Sequence, residues 1–426
     1  MELDSKSRKF RQGGPAAPTG PLAGIRVVEC ASIVLGPMTG QYLGDMGAEV
    51  IKVEAPDGDL TRRIGPQRSD HMSALFVGCN RNKRSIVLDL KQQEQRVALY
   101  DLVSGADVFL TSIRPASARR IGLGYGDVSA ANPRVVYCQV EGFGEGGPYA
   151  GKAAYDDIVQ ALSGLAQLQT VVTKEPRYVP SILADKITGV HAAYGIALAL
   201  FHRERTGRGQ AINIPMFETV AAFNLIEHLW GHAFEPPLAP MGYPPVATAA
   251  RRPFQTLDGY LAVMPYTDAH WSRFYELNER PDRASDPRFA TFAGRQEHLA
   301  LVWSDLKDQV AERTNADWIA LLENEDIPFA VVNSLEDLLT DPHLEEVGFW
   351  QYLEDEFDGT CRLPASPVGL VDTPPSIRRL PPRLGEHTLE VLLEIGMGEE
   401  DSRRLAGANS GADADAAPDG RTKEMR

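Results

Sequence analysis

Between Gly24 and Ile214, apolar runs of strand length alternate with stretches of helical spacing, and few folds accommodate that alternation. Ile25 to Cys30 reads as a buried strand, Gly36-Pro37 breaks it, Met38 to Met46 has helical spacing, and Glu49 to Val53 returns as a strand. A strand, a glycine-containing turn, a helix and a second strand make one βαβ unit. The pattern recurs in Arg84 to Leu90, a helix over 93–104, and Asp107 to Leu110. Arg134 to Val140 adds a strand that runs into the glycine-rich Glu141 to Pro148, and Ala211 to Ile214 adds another. Strands joined by helical crossovers lie parallel. The expected class is α/β: a large Rossmann-like domain with a mostly parallel sheet, helices on its faces, and ligands at the carboxyl ends of its strands.

Asp185 to Arg203 reads as a long helix, with Val190, Ala193, Tyr194, Ala197, Leu198 and Phe201 making an apolar stripe at helical spacing. Beyond residue 235 the character changes. Pro236-Pro237, Pro240 and Pro244-Pro245 form a linker, followed by Gly259 to Met264 and helical patterns from Trp271 and Leu299. The expected organisation is a large domain over 21–235 and a smaller α+β domain over 236–340. A proline-rich return over 341–406, with a helix from His387 to Ile395, completes the large domain. The tails, 1–20 and 407–426, are small and polar and have nothing to bury, so they are expected to be disordered.

A net charge of −15 argues against nucleic acid as a partner, because that partner requires a basic face. It leaves room for a phosphate-bearing ligand, since a local group of Lys and Arg outweighs acidic groups beyond a screening length of about 8–10 Å. No apolar run reaches the roughly 18–20 residues of a membrane span. Residues 1–19 scatter Lys6, Arg8, Lys9 and Arg11 among Ser, Gly and Pro and lack the apolar stretch of a secretory signal. A cytoplasmic protein without membrane partners is the expectation. Cys30, Cys79, Cys138 and Cys361 show no C-x-x-C spacing, and Cys30 and Cys138 lie in strand-like runs and read as core residues.

No metal is expected. His228 and His232 stand one helical turn apart, but Leu229 holds the position where a zinc protease needs Glu, and no Cys/His cluster adds ligands. The G-x-S-x-G of a serine hydrolase is absent. Gly142-Phe-Gly144 and Gly207-Arg-Gly209 are too short for a dinucleotide fingerprint and read as turns. Lys83, Arg84, Lys91, Arg114, Arg119, Arg120 and Lys152 fall in loops or helix starts of the first α/β half. Such a group either holds a polyphosphate through charge-assisted bonds or forms a solvated face, and composition favours neither. Asp185 opens an apolar helix after Val179 to Ala184, where a carboxylate stabilised by the helix dipole is the simpler reading.

A series of motifs changes that balance. Pro21 to Glu29, Gly47 to Glu54, Asn82 to Lys91, Arg114-Pro115 with Ile121 to Tyr125, Thr206 to Gln210 and Asp258 to Val263 together resemble the class III CoA-transferase family, in order and at family spacing over about residues 20–405. The family holds formyl-CoA:oxalate and carnitine CoA-transferases and the α-methylacyl-CoA racemases. The resemblance implies coenzyme A as substrate, with no permanently bound cofactor, and a homodimer of two interlocked chains. It assigns Asp185 to the catalytic aspartate, acylated as a mixed anhydride and then as an aspartyl-CoA thioester. It assigns Leu88 and Lys91 to CoA nucleotide contacts, Arg120 to a CoA phosphate and, approximately, Lys152 to a similar role. Backbone N–H groups of Gly144, Gly146 and Gly147 would stabilise an oxyanion, or that loop is a plain turn.

Departures from the family narrow the substrate. Ala55 replaces an arginine of the CoA site, Val34 stands where the formyl transferase has glutamine, and Met241 to Pro245 lacks that enzyme's glycine-rich loop, so formyl-CoA and oxalate do not fit. Racemases carry a histidine where this chain has Tyr155, and a supporting Glu where it has Thr267. Inverting a carbon centre needs two groups that titrate near neutrality, and a phenol, ionising near pH ~10, replaces histidine poorly. Transfer of CoA between carboxylic acids is therefore expected ahead of epimerisation, and both ahead of a CoA-binding regulator without catalysis. Tyr243, Arg251, Arg252 and His270 either face a second carboxylate, which suggests a short dicarboxylate such as succinate, or are surface or interface groups.

Overall fold

Alternate residues of a strand face opposite ways, and strand β1 (Arg26–Cys30) is buried on both faces, as a strand between two helix layers must be. The computed structural model describes residues 18–409, and the terminal tails expected from the sequence lie almost wholly outside the described residues. β1 is flanked by β2 (Glu49–Glu54) and β4 (Val108–Thr111), with β3 (Lys83–Val87), β5 (Val136–Glu141) and β6 (Ala211–Pro215) outside them. The six strands run in the order β3-β2-β1-β4-β5-β6, each pair parallel. Val27, Val108, Leu110, Val136 and Cys138 feed the core on one face, while Val28, Cys30, Phe109 and Tyr137 feed the core on the other. Cys30 and Cys138 are thus core residues, and all four cysteines are unpaired. The order turns back on itself between β1 and β4, which opens a crevice at the carboxyl ends of those two strands.

The described chain forms two compact units, one of residues 18–167, 178–225 and 346–409, the other of 168–177 and 226–345. In the second, antiparallel strands β7 (Phe254–Gln255), β8 (Tyr260–Val263) and β9 (Phe329–Val331) join helices around Trp271, Phe274, Tyr275, Phe289 and Trp318. In the first, the return segment covers the edge strand β3. Asn82 N–H donates to Arg379 O at 3.0 Å and His387 N–H to Ser85 O at 2.9 Å, while Val391 and Leu392 enter the core. No helix among the described residues is long and apolar enough to cross a membrane.

The stripe expected on a long helix lies on the helix Leu183–Thr206, but not on its buried face. Its buried face is Ala184, Asp185, Thr188, Gly189, Ala192, Ile196, Ala199, Leu200 and Arg203. The stripe read from the sequence points the other way: Val190, Tyr194, Leu198 and Phe201 are 52, 62, 49 and 61% exposed. Helical spacing identifies an apolar face but not what covers it, and here the buried face is built of small residues. Gly189 shows why. A Cβ there would stand 2.7 Å from Met38 Cε and 3.2 Å from Leu35 O, so a larger residue would displace the Met38 side chain and push the helix Leu35–Asp45 away by a few tenths of an ångström.

Candidate active site

Asp185 lies in the first turn of its helix, which no side chain of the N-cap residue Ile182 caps. Its backbone N–H donates instead to Oδ2 of Asp156 at 3.0 Å. Asp156 is itself held by Gln160, whose Nε2 donates to Oδ1 at 2.6 Å and whose Oε1 accepts from Val179 N–H at 2.9 Å. Both Asp156 and Gln160 are buried, and together they fix the 179–185 segment. No motif in the sequence marks out either residue. Their signal was an acidic residue opening the helix Asp156–Leu162 with glutamine one turn on.

Asp185 is 8% exposed, and among the described residues no donor reaches its carboxylate. Burial, and secondarily the Asp156 charge, raise its carboxyl from 3.8 to about 7. A carboxylate kept poor in hydrogen bonds and facing open space is a candidate for chemistry. That space is a crevice of about 410 Å³ lined by Ser32, Ile33, Leu35, Gly36, Leu60, Ser112, Arg114, Lys152, Tyr155 and others. A second crevice of about 620 Å³ holds Leu88, Lys91 and Arg120, with Ala55 and Ile121. The two share Ser32, Leu60 and Ser112, so they adjoin at the switch point between β1 and β4. Each has the size of a small-molecule site. All of their lining residues belong to the first unit.

The structure therefore brings Asp185, Lys152 and Tyr155 into one crevice and Leu88, Lys91 and Arg120 into its neighbour. It redistributes the other basic residues. Lys83 and Arg84 are not in loops but on β3, where Lys83 Nζ lies 2.8 Å from Glu29 Oε2 and Arg84 binds Glu390 and Glu394 at 2.7 Å. Arg119 pairs with Glu145 at 3.0 Å. Lys91, Arg114, Arg120 and Lys152 make no ion pair among the described residues, and Lys152 rests on the Tyr149 ring at 4.5 Å.

The glycine loop is a turn. Gly144 N–H already donates to Glu218 Oε1 at 2.9 Å, Gly147 O accepts from Ala150, and neither these residues nor Gly146 lines the crevice of Asp185. An amide already donated to a carboxylate is not free for an oxyanion, so Gly144 fits the plain-turn reading, and the loop's Gly146 and Gly147 lie outside the residues that line the crevice. Tyr155 is 67% exposed, and Thr267 caps the helix Asp268–Leu277 by accepting from His270 N–H. His228 is a satisfied structural histidine, accepting from Tyr243 N–H at 3.2 Å, while His232 is exposed. Arg251 donates to Pro245 O, Tyr243 packs on Trp230, and these two, Arg252 and His270 all belong to the second unit.

The sequence matches CoA-transferase family III over residues 22–388. It is 34% identical over 391 residues to the succinate–glutarate CoA-transferase of Agrobacterium fabrum, covering 88% of this chain and 96% of that one. It is 33% identical over 396 residues to the β subunit of succinyl-CoA–L-malate CoA-transferase of Chloroflexus aurantiacus, covering 89% and 95%. The fold superposes on the crystal structure of a CAIB/BAIF family protein from Brucella suis with a TM-score of 0.76 at 31% identity, covering 88% of this chain and all of that one. By the match along most of its length, this chain is an enzyme of CoA-transferase family III.

Proposed function

We propose that this enzyme moves CoA from a short dicarboxylyl-CoA, such as succinyl-CoA, to a free short dicarboxylate by acylation of Asp185. The observation that carries the reading is a buried carboxylate that no donor reaches among the described residues, at one end of paired crevices whose other end holds Lys91 and Arg120. The CoA phosphates pair with Lys91 and Arg120, and Leu88 lies under the nucleotide. The pantetheine arm passes Ser32, Leu60 and Ser112, and Lys152 closes on it beside the thioester. Relatives that act on succinyl, glutarate and malate support the dicarboxylate class.

The Asp185 carboxylate attacks the acyl carbon; a C–O bond forms, the C–S bond breaks, and CoA leaves as thiolate. The thiolate attacks Cγ of Asp185 and expels the first acid as its carboxylate, leaving an aspartyl-CoA thioester. The acceptor carboxylate attacks Cγ in turn, releases thiolate and forms the second anhydride. Attack by thiolate on its acyl carbon yields the new acyl-CoA and frees Asp185. Every intermediate stays activated, so the steps balance without ATP or metal. Desolvation sharpens the first attack, because a carboxylate stripped of water needs little reorganisation to react. The direct test is mass spectrometry of enzyme with succinyl-CoA and glutarate: glutaryl-CoA and succinate should appear together in equal amounts. CoA and succinate released without glutaryl-CoA would mean hydrolysis and defeat the reading.

The assembly we infer is an interlocked homodimer, and the exposed Val190, Tyr194, Leu198 and Phe201 are the apolar face it would bury. Light scattering should give twice the 46.6 kDa chain mass, reduced to one chain by Tyr194→Glu with Leu198→Glu. A wild-type monomer would remove the dimer. The four unpaired cysteines fit a reducing, cytoplasmic compartment.

A further inference from the structure

A chain of four buried charges adjoins the crevice of Asp185, and two of its members, Lys52 and Asp59, line the neighbouring crevice of Lys91 and Arg120. Asp59 Oδ2 is 2.9 Å from Lys52 Nζ, which is 3.1 Å from Glu29 Oε1, and Glu29 Oε2 is 2.8 Å from Lys83 Nζ. Their side chains are at most 1% exposed. Taking four charges out of water is costly, and well-packed apolar residues often serve stability equally well. What the charges grip is therefore informative. Asp59 Oδ1 accepts from Ile33 N–H at 3.2 Å, Lys52 Nζ donates to Ala31 O at 2.8 Å, and Lys83 Nζ donates to Pro37 O at 2.7 Å. All three are backbone groups of one segment, 31–37, made of a turn and the first residues of the helix Leu35–Asp45.

That turn is strained. Ile33 has φ +71°, the left-handed region that a β-branched residue rarely adopts. Gly36 is pressed so near that a Cβ on it would meet the Ala31 Cβ at 2.3 Å. The turn leads into the helix Leu35–Asp45, whose N-terminus has no side-chain cap and whose Pro37 has no N–H. Amides of Leu35 and Gly36 are thus left without partners among the described residues, in the crevice that holds the unpartnered Asp185 carboxylate. The two helices meet at Gly189, one turn past Asp185, where Thr39 Oγ1 donates to Gly189 O at 3.2 Å.

We propose that the Glu29–Lys52–Asp59 chain, with Lys83, is a positioning device. It holds Ile33 left-handed so that the Leu35 and Gly36 amides face the acyl carbonyl attacked by Asp185. Asp59 is the positioning residue, since it alone binds the strained peptide. This role rests on the transferase reading above.

The test measures CoA transfer from succinyl-CoA to glutarate by the full chain. Asp59→Ala should lower kcat about 100-fold, the scale of one lost oxyanion donor, while KM for succinyl-CoA moves less than about threefold. Ile33→Gly in that background should restore kcat at least about tenfold, because glycine takes the left-handed backbone unaided. A merely structural Asp59 would not be rescued by a glycine at position 33. A kcat within about twofold of wild type, or a loss that Ile33→Gly leaves untouched, overturns the proposal. Should Asp59→Ala fail to fold, Asp59→Asn should lose about fivefold in kcat and be returned by Ile33→Gly to within about twofold of wild type, with the same overturning results. A wild-type enzyme that moves no CoA between these acids defeats the functional reading instead. Hydrogen exchange over 31–38 then decides positioning: about tenfold faster exchange in Asp59→Asn supports it, and unchanged exchange overturns it.

Discussion

Asp185→Ala should reduce CoA transfer by about four orders of magnitude or more, the usual consequence of removing a covalent nucleophile. The neighbouring Asp156 cannot take its place. Asp156 is buried and already accepts from the Asp185 N–H and from Gln160, so it is neither exposed to the thioester nor free to rotate toward it. Binding of CoA itself should survive, because Lys91 and Arg120 lie in the adjoining crevice and depend on other elements. Calorimetric titration with CoA should therefore give a Kd within about threefold of wild type. Loss of CoA binding together with turnover would instead assign Asp185 to the architecture of the site. Retained turnover would remove it from the chemistry.

The second large effect is on stability and its pH dependence. The Asp185 carboxyl titrates near 3.8 in an unfolded chain but at about 7 in the folded one. Between those values the folded state holds a proton that the unfolded state has lost, so this group's contribution to stability falls as pH rises from about 4 to 7. Above pH 7 the cost levels off on the order of 4 kcal/mol, at about 1.4 kcal/mol per pH unit. Asp185→Asn removes the charge while keeping shape. It should raise the unfolding temperature markedly at pH 8 and far less at pH 5, read by thermal melts in matched buffers. Equal shifts at both pH values would mean that Asp185 carries no raised pKa. The same ionisation governs the reaction, because the nucleophile is the charged form. For wild type without bound substrate, kcat/KM should climb about tenfold per unit below pH 7 and flatten above it. Burial and the Asp156 charge that destabilise the fold are thus the features that leave the carboxylate reactive.

How much of this was legible from the sequence depends on distance along the chain. The six strands and the helix over 93–104 were readable, because apolar runs and glycine punctuation are local signals and a parallel sheet follows from crossovers between them. Asp185, Leu88, Lys91, Arg120 and Lys152 were named from motifs, and the fold places them in two adjoining crevices. What was missed depends on contacts far apart in sequence. The stripe Val190, Tyr194, Leu198 and Phe201 had the right period, but tertiary packing along the opposite face, from Ala184 through Gly189 to Leu200, is what turns the small-residue face inward. Lys83 and Arg84 resembled ligands for a polyphosphate until β1 and the return segment supplied Glu29, Glu390 and Glu394 as their partners. The Gly144 amide looked available because Glu218 lies 74 positions away. Nothing local to Ile33 announces a left-handed backbone, since the carboxylate that holds it comes from Asp59.

The claim that binds these observations together is that Asp185 is acylated during turnover. Hydroxylamine added while the enzyme converts succinyl-CoA and glutarate should capture either acylated form at Cγ, leaving an aspartyl hydroxamate. Peptide mass spectrometry should find that mark on Asp185 alone. It should depend on acyl-CoA, accumulate as activity is lost, and be absent from Asp185→Ala. Continued transfer of CoA with Asp185 unmodified, or a hydroxamate on a different carboxylate, would contradict the account.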